Sequence, residues 1–205
     1  MYRHHPQTLK VKEMIDAGAI GDVKLVHGSF TFAIRGPKNV RLVADLAGGS
    51  IWDVGCYPIS YACTMIDAKP VLALGHHIVG QASGVDESFY GTLHFANGAV
   101  AQFDSSFRLP FRTHIEIVGS EGIIMVPRPF KPSGNETIYM GKASDQLEPL
   151  QVSGPEQLYT GEVEDMADAV LLGQAPRVSL ADSRKNVASI VALLQSAREG
   201  RAVAV

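Results

Sequence analysis

Apolar residues recur at helical spacing near both ends of the chain and at every second position in its middle. The segment from Pro6 to Ala17 carries an apolar stripe and is followed by Gly18, so we predict a short helix there. From Val23 to Ile34 the chain is rich in Val, Phe, Thr and Ile in near alternation, which predicts a strand ending at Gly36 and Pro37.

The stretch GGSIWDVGCYPISYACTMIDAK, residues 48–69, predicts a second helix. This helix must end before Pro70, because the residue that precedes a proline avoids helical dihedrals. Pro58 lacks an N–H, which matters little in a first turn but costs about 3 kcal/mol in a helix interior. We therefore expect either the helix start or a kink close to Pro58. The predicted apolar stripe comprises Ile51, Trp52, Cys56, Ile59, Ala62, Cys63 and Ile66.

Between Pro70 and about Pro127 the hydrophobic period changes to two, which is typical of strands. Two alternating runs flank Asn97 and Gly98, whose tolerance of positive φ predicts a hairpin turn, and Gly119 to Gly122 predicts another. One face of these strands carries Phe89, Leu93, Phe95, Ala101, Phe103, Ile115 and Ile117. The other face carries Thr92, His94, Gln102, Asp104, His114 and Glu116.

Residues 128–158 are rich in turn-forming residues, with weak strand candidates near Thr137–Met140 and Leu150–Val152. Two helices follow, the second between a capping box at Ser179 and Asp182 and a stop at Gly200. Their predicted stripes are Val163, Met166, Ala167, Val170 and Leu171 in the first, and Val187, Ile190, Val191 and Leu194 in the second.

The order of elements predicts an α+β fold in which an open, mostly antiparallel sheet carries helices on one face, with at most one parallel crossover. We expect a single domain over residues 1–205. The formal charge of −3 and the scattered basic residues argue against a nucleic-acid partner. No run of about 18 apolar residues predicts a membrane segment, and we expect a cytoplasmic location.

Two side chains at the start of the second helix are candidates for catalysis. Asp53 and Tyr57 are four residues apart and would share one helix face. A phenol can exchange a proton with an alkoxide if a neighbouring charge shifts its pKa. The alternative is structural, since an Asp near a helix start is commonly a cap and a Tyr four residues later is commonly packing.

These residues stand in a recognisable context. GGSIWDVGCYPIS, preceded by MYRHHPQ and by NVR, resembles the second domain of the glucose-fructose oxidoreductase, inositol dehydrogenase and rhizopine catabolism family, Gfo/Idh/MocA. The likeness continues through FANGAVAQFDSSF and IEIVGSEGIIMVPRPF to SAREGRAV, nearly the whole chain. The aspartate-then-tyrosine helix is similar to that of the glucose-fructose oxidoreductase and dimeric dihydrodiol dehydrogenase branch.

The resemblance implies a role for four residues. Family members join a nucleotide-binding Rossmann half to this sheet half and move a hydride between NAD(P) and a sugar, cyclitol or related diol. Tyr57 would then be the proton-transfer group, and Asp53 would orient it or the substrate. Arg41 and Arg3 would lie at the rim of the same cleft and bind substrate, with a surface ion pair as the alternative for each.

The sequence departs from the family in one respect. It contains no G-x-G-x-x-G after a strand, no acidic residue at the ribose spacing and no Glu-Lys-Pro segment. Met1 falls where the second half of a family member would begin. NAD or NADP is expected for the full-length family, but we expect that this chain does not bind it and is inactive alone. The histidines lack a recognisable ligand spacing, so we also expect no metal site.

Two hypotheses follow. The chain is the substrate-side domain of an NAD(P)-dependent oxidoreductase, or it is a stand-alone, non-catalytic binding or dimerisation module with the same fold. In both cases we expect a homo-oligomer formed through the sheet face. The sequence does not distinguish NAD from NADP, identify the substrate or fix the oligomer size.

Overall fold

Nine strands form one mixed sheet, and helices cover one of its faces. The computed structural model describes residues 1–36 and 38–205, so the predicted strand end at Pro37 lies outside the described residues. The helices are α1 (Pro6–Asp16), α2 (Cys56–Met65), α3 (Thr160–Leu172) and α4 (Leu180–Glu199). The strands are β1 (Val23–Thr31), β2 (Pro70–Val79), β3 (Asp86–Phe95), β4 (Val100–Ser106), β5 (Arg112–Gly119), β6 (Ile123–Val126), β7 (Asn135–Gly141), β8 (Glu148–Ser153) and β9 (Val203–Ala204).

The sheet order is β8-β7-β6-β5-β1-β4-β3-β2-β9. Only the β1–β4 pair is parallel, and the other described pairs are antiparallel. The chain therefore makes one parallel crossover, through α2 and the β2–β3 hairpin, and the predicted fold class is confirmed. The weak strand candidates of residues 128–158 are two full strands, β7 and β8.

The two faces of the central strands divide as their alternation predicts. The apolar face is buried beneath the helices and consists of Phe89, Leu93, Phe95, Ala101, Phe103, Ile115 and Ile117. The opposite, open face is polar. Asp104, on this face, is nevertheless buried. Its carboxylate is stabilised there by a hydrogen bond that Ser29 donates at 2.8 Å and by Arg112, which pairs with it at 2.7 Å.

The second helix begins irregularly. A π-helical turn over Ile51–Gly55 leads directly into α2. Pro58 follows that turn and is buried against β1, where a Cβ on Gly28 would lie 2.8 Å from the Pro58 Cβ. The wider turn accommodates a proline whose ring would clash with a carbonyl in a regular helix interior. It also corrects one prediction, because Trp52 is 36% exposed rather than part of the buried stripe.

The start of this turn is fixed by a carboxylate from the sheet. Asp86, the first residue of β3, accepts hydrogen bonds from the Ser50 hydroxyl at 2.9 Å and from the Ile51 amide at 2.8 Å. Gly49, with φ +128°, passes so close to Asp86 that a Cβ would overlap the carboxylate. Only glycine combines this backbone conformation with this approach.

Both C-terminal helices differ from their predicted stripes. No residue of α3 is buried, and Val163, Met166, Val170 and Leu171 are all exposed. The buried side of α4 is Ser189, Ile190, Ala192, Leu193 and Ser196, whereas Val187 and Val191 face outward.

Small residues explain the rotation of α4. The helix backbone lies directly on β2, where a Cβ on Gly75 would overlap the Leu193 carbonyl oxygen. The Ser196 hydroxyl accepts a hydrogen bond from the Gly75 amide at 2.9 Å. Close approach of helix and strand favours serine and alanine over valine at the contact. Over residues 1–36 and 38–205, no helix has the length and apolar character needed to cross a bilayer.

Candidate active site

One side of α2 and its π turn forms the wall of an open cleft of about 510 Å³. Asp53, Cys56, Tyr57 and Ser60 all line it, at positions i, i+3, i+4 and i+7 of the helical segment. The N-terminal 3₁₀ turn, Tyr2–His4, supplies much of the opposite wall. The structure thus brings the two predicted catalytic side chains into one cleft, whereas the spacing alone left core packing as an alternative.

Aromatic packing holds the ring of Tyr57. Its centroid lies 5.7 Å from that of Tyr2, 5.3 Å from that of Phe30 and 5.6 Å from that of Phe130. The Tyr2 hydroxyl also donates a hydrogen bond to the Tyr57 carbonyl oxygen at 3.1 Å. Contacts on three sides restrict the rotamers of a side chain that faces the cleft, which is the preorganisation that a proton-transfer group requires.

Burial raises the pKa of Tyr57 above that of an ordinary phenol. The negative charges that develop at Cys56, Tyr159 and Asp53 raise this pKa further, while the Arg41 guanidinium lowers it. The phenol therefore remains protonated at neutral pH and is available as a proton donor. Burial likewise raises the pKa of Cys56 to about 12, so its thiol is no nucleophile despite lining the cleft.

Asp53 and Arg41 form a direct pair. The Arg41 Nε donates a hydrogen bond to Asp53 Oδ2 at 2.6 Å, and the Asp53 side chain remains 26% exposed. Arg41 lies in a 3₁₀ turn capped by Asn39, whose side-chain oxygen accepts from the Arg41 amide at 3.0 Å. The Gly49 amide donates to the Arg41 carbonyl at 3.0 Å, which ties this loop to the helix start.

Arg3 lies at the other end of the cleft. Its Nη1 donates to the Ser60 hydroxyl at 3.4 Å, and its Nη2 is 3.9 Å from Asp182 Oδ2. Ser60 is seven residues from Asp53, which separates the two ends by about 10 Å along a helix axis. Arg3 lines this cleft, whereas Arg41 lines an adjoining cavity and reaches the cleft only through its pair with Asp53. Both arginines make ion pairs, so their role in substrate binding stays a prediction.

Three of the residues that the structure adds to the site show why sequence reasoning missed them. Trp52 was assigned to the apolar stripe, and only the π turn exposes it to the cleft. Asn186, from α4, lines the cleft from a distant part of the chain and carries no local signal. Asp86 reaches the site only through strand pairing and the helix start that it fixes.

Three backbone amides at this helix start are already hydrogen-bonded within the chain. The amide of Gly49 is bonded to Arg41 and that of Gly48 to the Val43 carbonyl at 3.0 Å. The Ile51 amide already binds the Asp86 carboxylate. A nucleotide phosphate needs free amides at such a turn, so Gly48 and Gly49 do not substitute for the missing glycine fingerprint. Within the described residues, no cluster of three or more His, Cys, Asp or Glu is arranged to hold a metal ion.

Comparison with known proteins identifies the family and the fold. A family model described as the GFO/IDH/MocA C-terminal domain matches residues 8–125, more than half of the chain. The chain belongs to the Gfo/Idh/MocA family. The resemblance that the sequence motifs carried is thereby confirmed, and the match is to the family's C-terminal domain.

Several relatives of the Gfo/Idh/MocA family align along the whole chain. D-xylose 1-dehydrogenase (NADP(+)) 2 of Haloferax volcanii is 32% identical over 204 residues, which cover 99% of this chain and 62% of that enzyme. The structure of KijD10, a 3-ketoreductase from Actinomadura kijaniata in complex with NADP and TDP-benzene, is 25% identical with a TM-score of 0.87, covering 95% of this chain and 60% of that one.

A third relative supports the fold alone. The aldose-aldose oxidoreductase from Caulobacter crescentus, complexed with glycerol, has a TM-score of 0.89 at 23% identity, covering 100% of this chain and 62% of that one. In every case the chain spans less than two thirds of the relative's own length.

The charges around Tyr57 predict opposite effects of two substitutions. Arg41→Gln removes the charge that lowers the Tyr57 pKa, so this pKa rises, whereas Asp53→Asn removes a charge that raises it, so it falls. The ring ¹³Cζ shift of Tyr57, assigned as the signal missing from Tyr57→Phe, reports each change during an alkaline NMR titration. Arg128→Gln, whose arginine pairs with Glu136 elsewhere, is the control. Equal or same-direction shifts would contradict the coupling.

Proposed function

We propose that this chain is the substrate-side part of an NAD(P)-dependent oxidoreductase that acts on a sugar, cyclitol or related diol. The observation that supports this most directly is a partly buried phenol in one cleft with Asp53, whose carboxylate pairs with Arg41. The names of the relatives point the same way, since one is an NADP-dependent xylose dehydrogenase and another a 3-ketoreductase bound to NADP.

In this proposal Tyr57 carries the proton. Its hydroxyl gives a proton to the oxygen of a carbonyl substrate in reduction and takes one from the substrate hydroxyl in oxidation. Asp53, partly neutralised by Arg41, accepts a hydrogen bond from a neighbouring substrate hydroxyl and so orients the reacting carbon. Arg3 and Ser60 hold the remote end of the substrate, about 10 Å away along the helix.

We infer that the nicotinamide cofactor is held by protein outside these residues. NAD(P) supplies or accepts the hydride when bound, but three amides of this chain's helix start are already used by Arg41, Val43 and Asp86. The exposed apolar side of α3, which adjoins the cleft through Glu162, supports a further protein contact there. The chain alone then offers half of an active site.

The second candidate is a stand-alone, non-catalytic module that assembles through the sheet. The open face of β2 exposes Leu72, Leu74 and Ile78, and His76 stacks on Tyr90 of β3 beside them. Contiguous apolar side chains on an uncovered sheet face favour a protein contact. We propose that this face forms a homo-oligomer in either case, so oligomerisation alone does not distinguish the two functions.

The cofactor inference predicts that the 205-residue chain shows no saturable binding of NADPH, with or without D-xylose. The reason is that the amides of Gly48, Gly49 and Ile51 are already bonded within the chain and are not free for the pyrophosphate. Titration followed by NADPH fluorescence measures this directly. A dissociation constant in the micromolar range would show that the chain holds its own cofactor and would remove the inference.

The catalytic assignment predicts that Tyr57→Phe lowers turnover at least about tenfold once the chain is joined to the nucleotide-binding part of a relative. The phenyl ring keeps the packing against Tyr2, Phe30 and Phe130 but lacks the proton. Tyr139→Phe, on β7, is the matched control. Unchanged turnover in Tyr57→Phe would exclude this residue from proton transfer, and no turnover in any chimera would favour the module.

The oligomer proposal predicts that Leu74→Glu shifts the chain to a smaller species in sedimentation velocity, because a buried unpaired carboxylate opposes the contact. Leu150→Glu is the control: it lies on edge strand β8, paired with buried Ile138 and therefore on the helix-covered side. If wild type and Leu74→Glu sediment alike, the contact does not use this face.

A further inference from the structure

A second, smaller pocket adjoins the cleft on the far side of Asp53. Its volume is about 220 Å³, and its walls are chiefly Val40, Leu46 and Trp52, with Arg41 at one edge. Trp52 and Asp53 line this pocket and the cleft alike. A ligand group in the small pocket would therefore lie next to the group bound beside Asp53 and Tyr57.

The walls of this pocket are apolar although they face solvent. Val40 is 62% exposed and Leu46 63% exposed. Single exposed apolar residues are ordinary on protein surfaces, but here they surround one concavity together with an exposed indole. Such an apolar lining with a few charged groups, here the paired Arg41 and Asp53, is typical of ligand pockets.

Backbone hydrogen bonds hold the pocket open. The Leu42 amide donates to the Asn39 carbonyl at 3.0 Å, and the Leu46 amide to the Val43 carbonyl at 3.2 Å. The Gly49 amide then ties the same loop to the helix start. The apolar walls are thus carried on two short 3₁₀ turns rather than on a chain that must fold around its ligand.

The side chains that line the small pocket indicate which class of ligand it favours. The walls offer few hydrogen-bond partners to the hydroxyls of a sugar ring, because Arg41 and Asp53 are already paired and the other side chains are apolar. The Asp53 carboxylate disfavours an anion. A neutral aromatic ring would stack on the Trp52 indole and present its face or edge to Val40 and Leu46.

We propose that this pocket is a subsite for an aromatic substituent carried by the substrate, so that the chain binds aryl-substituted sugars in preference to small alkyl derivatives. The inference rests on the proposed function for the position of the sugar in the cleft. Asp53, shared by both cavities, marks the point at which sugar and substituent join.

Trp52 provides the measurement, because it is the only tryptophan in the sequence. Selectively excited tryptophan emission of the 205-residue chain is followed during titration with phenyl β-D-xyloside, methyl β-D-xyloside, phenol and free nicotinamide mononucleotide. The phenyl glycoside should give half-saturation at a concentration about tenfold lower than the methyl glycoside, a difference of about 1.4 kcal/mol. Leu46→Asn and Val40→Ser should each reduce this ratio, and Leu150→Asn should leave it unchanged.

The titrations distinguish a failure of the aromatic subsite from a failure of the proposed function. Equal affinity for the two glycosides, no effect of Leu46→Asn and Val40→Ser, or no emission change with any ligand would each overturn the subsite. Tighter binding of the nicotinamide mononucleotide than of the phenyl glycoside would also overturn it, since the ring pocket would then belong to the cofactor. Binding of the phenyl glycoside that is matched by phenol alone would retain the aromatic pocket but remove the sugar from the cleft, and with it the proposed function.

Discussion

The buried carboxylate of Asp86 fixes the part of this structure on which the candidate site depends. It accepts hydrogen bonds from the Ser50 hydroxyl and the Ile51 amide where the chain enters its π turn. Burial raises the pKa of Asp86, while these same hydrogen bonds act to lower it. A carboxylate at a helix start is electrostatically favourable, and here it belongs to a strand. The helix that carries Asp53 and Tyr57 is therefore positioned by the sheet and not by its own sequence.

Two local features build the candidate site at the helix start that Asp86 fixes. Gly49 lets the loop approach Asp86, and its amide holds Arg41 beside Asp53. The π turn then rotates Trp52 outward while Ile51 and Val54 stay buried. An α-helix in the same place would leave Pro58 clashing with the preceding turn. The irregular segment is thus the common cause of the ion pair, the exposed indole and the cleft-facing phenol.

The sequence alone predicted the architecture well, because alternation and helical period report burial directly. It also placed Asp53 and Tyr57 on one helix face, but it could not show what surrounds them. Phe130 and Tyr2 contact Tyr57 from distant parts of the chain, and the Arg41–Asp53 pair depends on a loop without regular period. The predicted buried stripes of α3 and α4 were wrong for a related reason. The spacing of apolar residues does not reveal which face of a helix is covered by neighbouring elements. On α4 the small Ser196 and Ala192 form the contact, and apolar Val187 is left outside.

The same hydrogen bonds that build the site also limit what it can do. The amides of Gly48, Gly49 and Ile51, at the start of this helix, are bound to carbonyls or a carboxylate of the chain. They are therefore not free for a phosphate, and this is why we propose substrate orientation and proton transfer, rather than cofactor binding, for this part of the molecule. The proposed function also accounts for two features of the surface. The cleft has one well-packed wall and is open on its other side, and large apolar side chains are exposed at its edges, on α3 and around Trp52. If the proposal holds, the apolar side chains of α3 contact further protein and those around Trp52 contact the substrate.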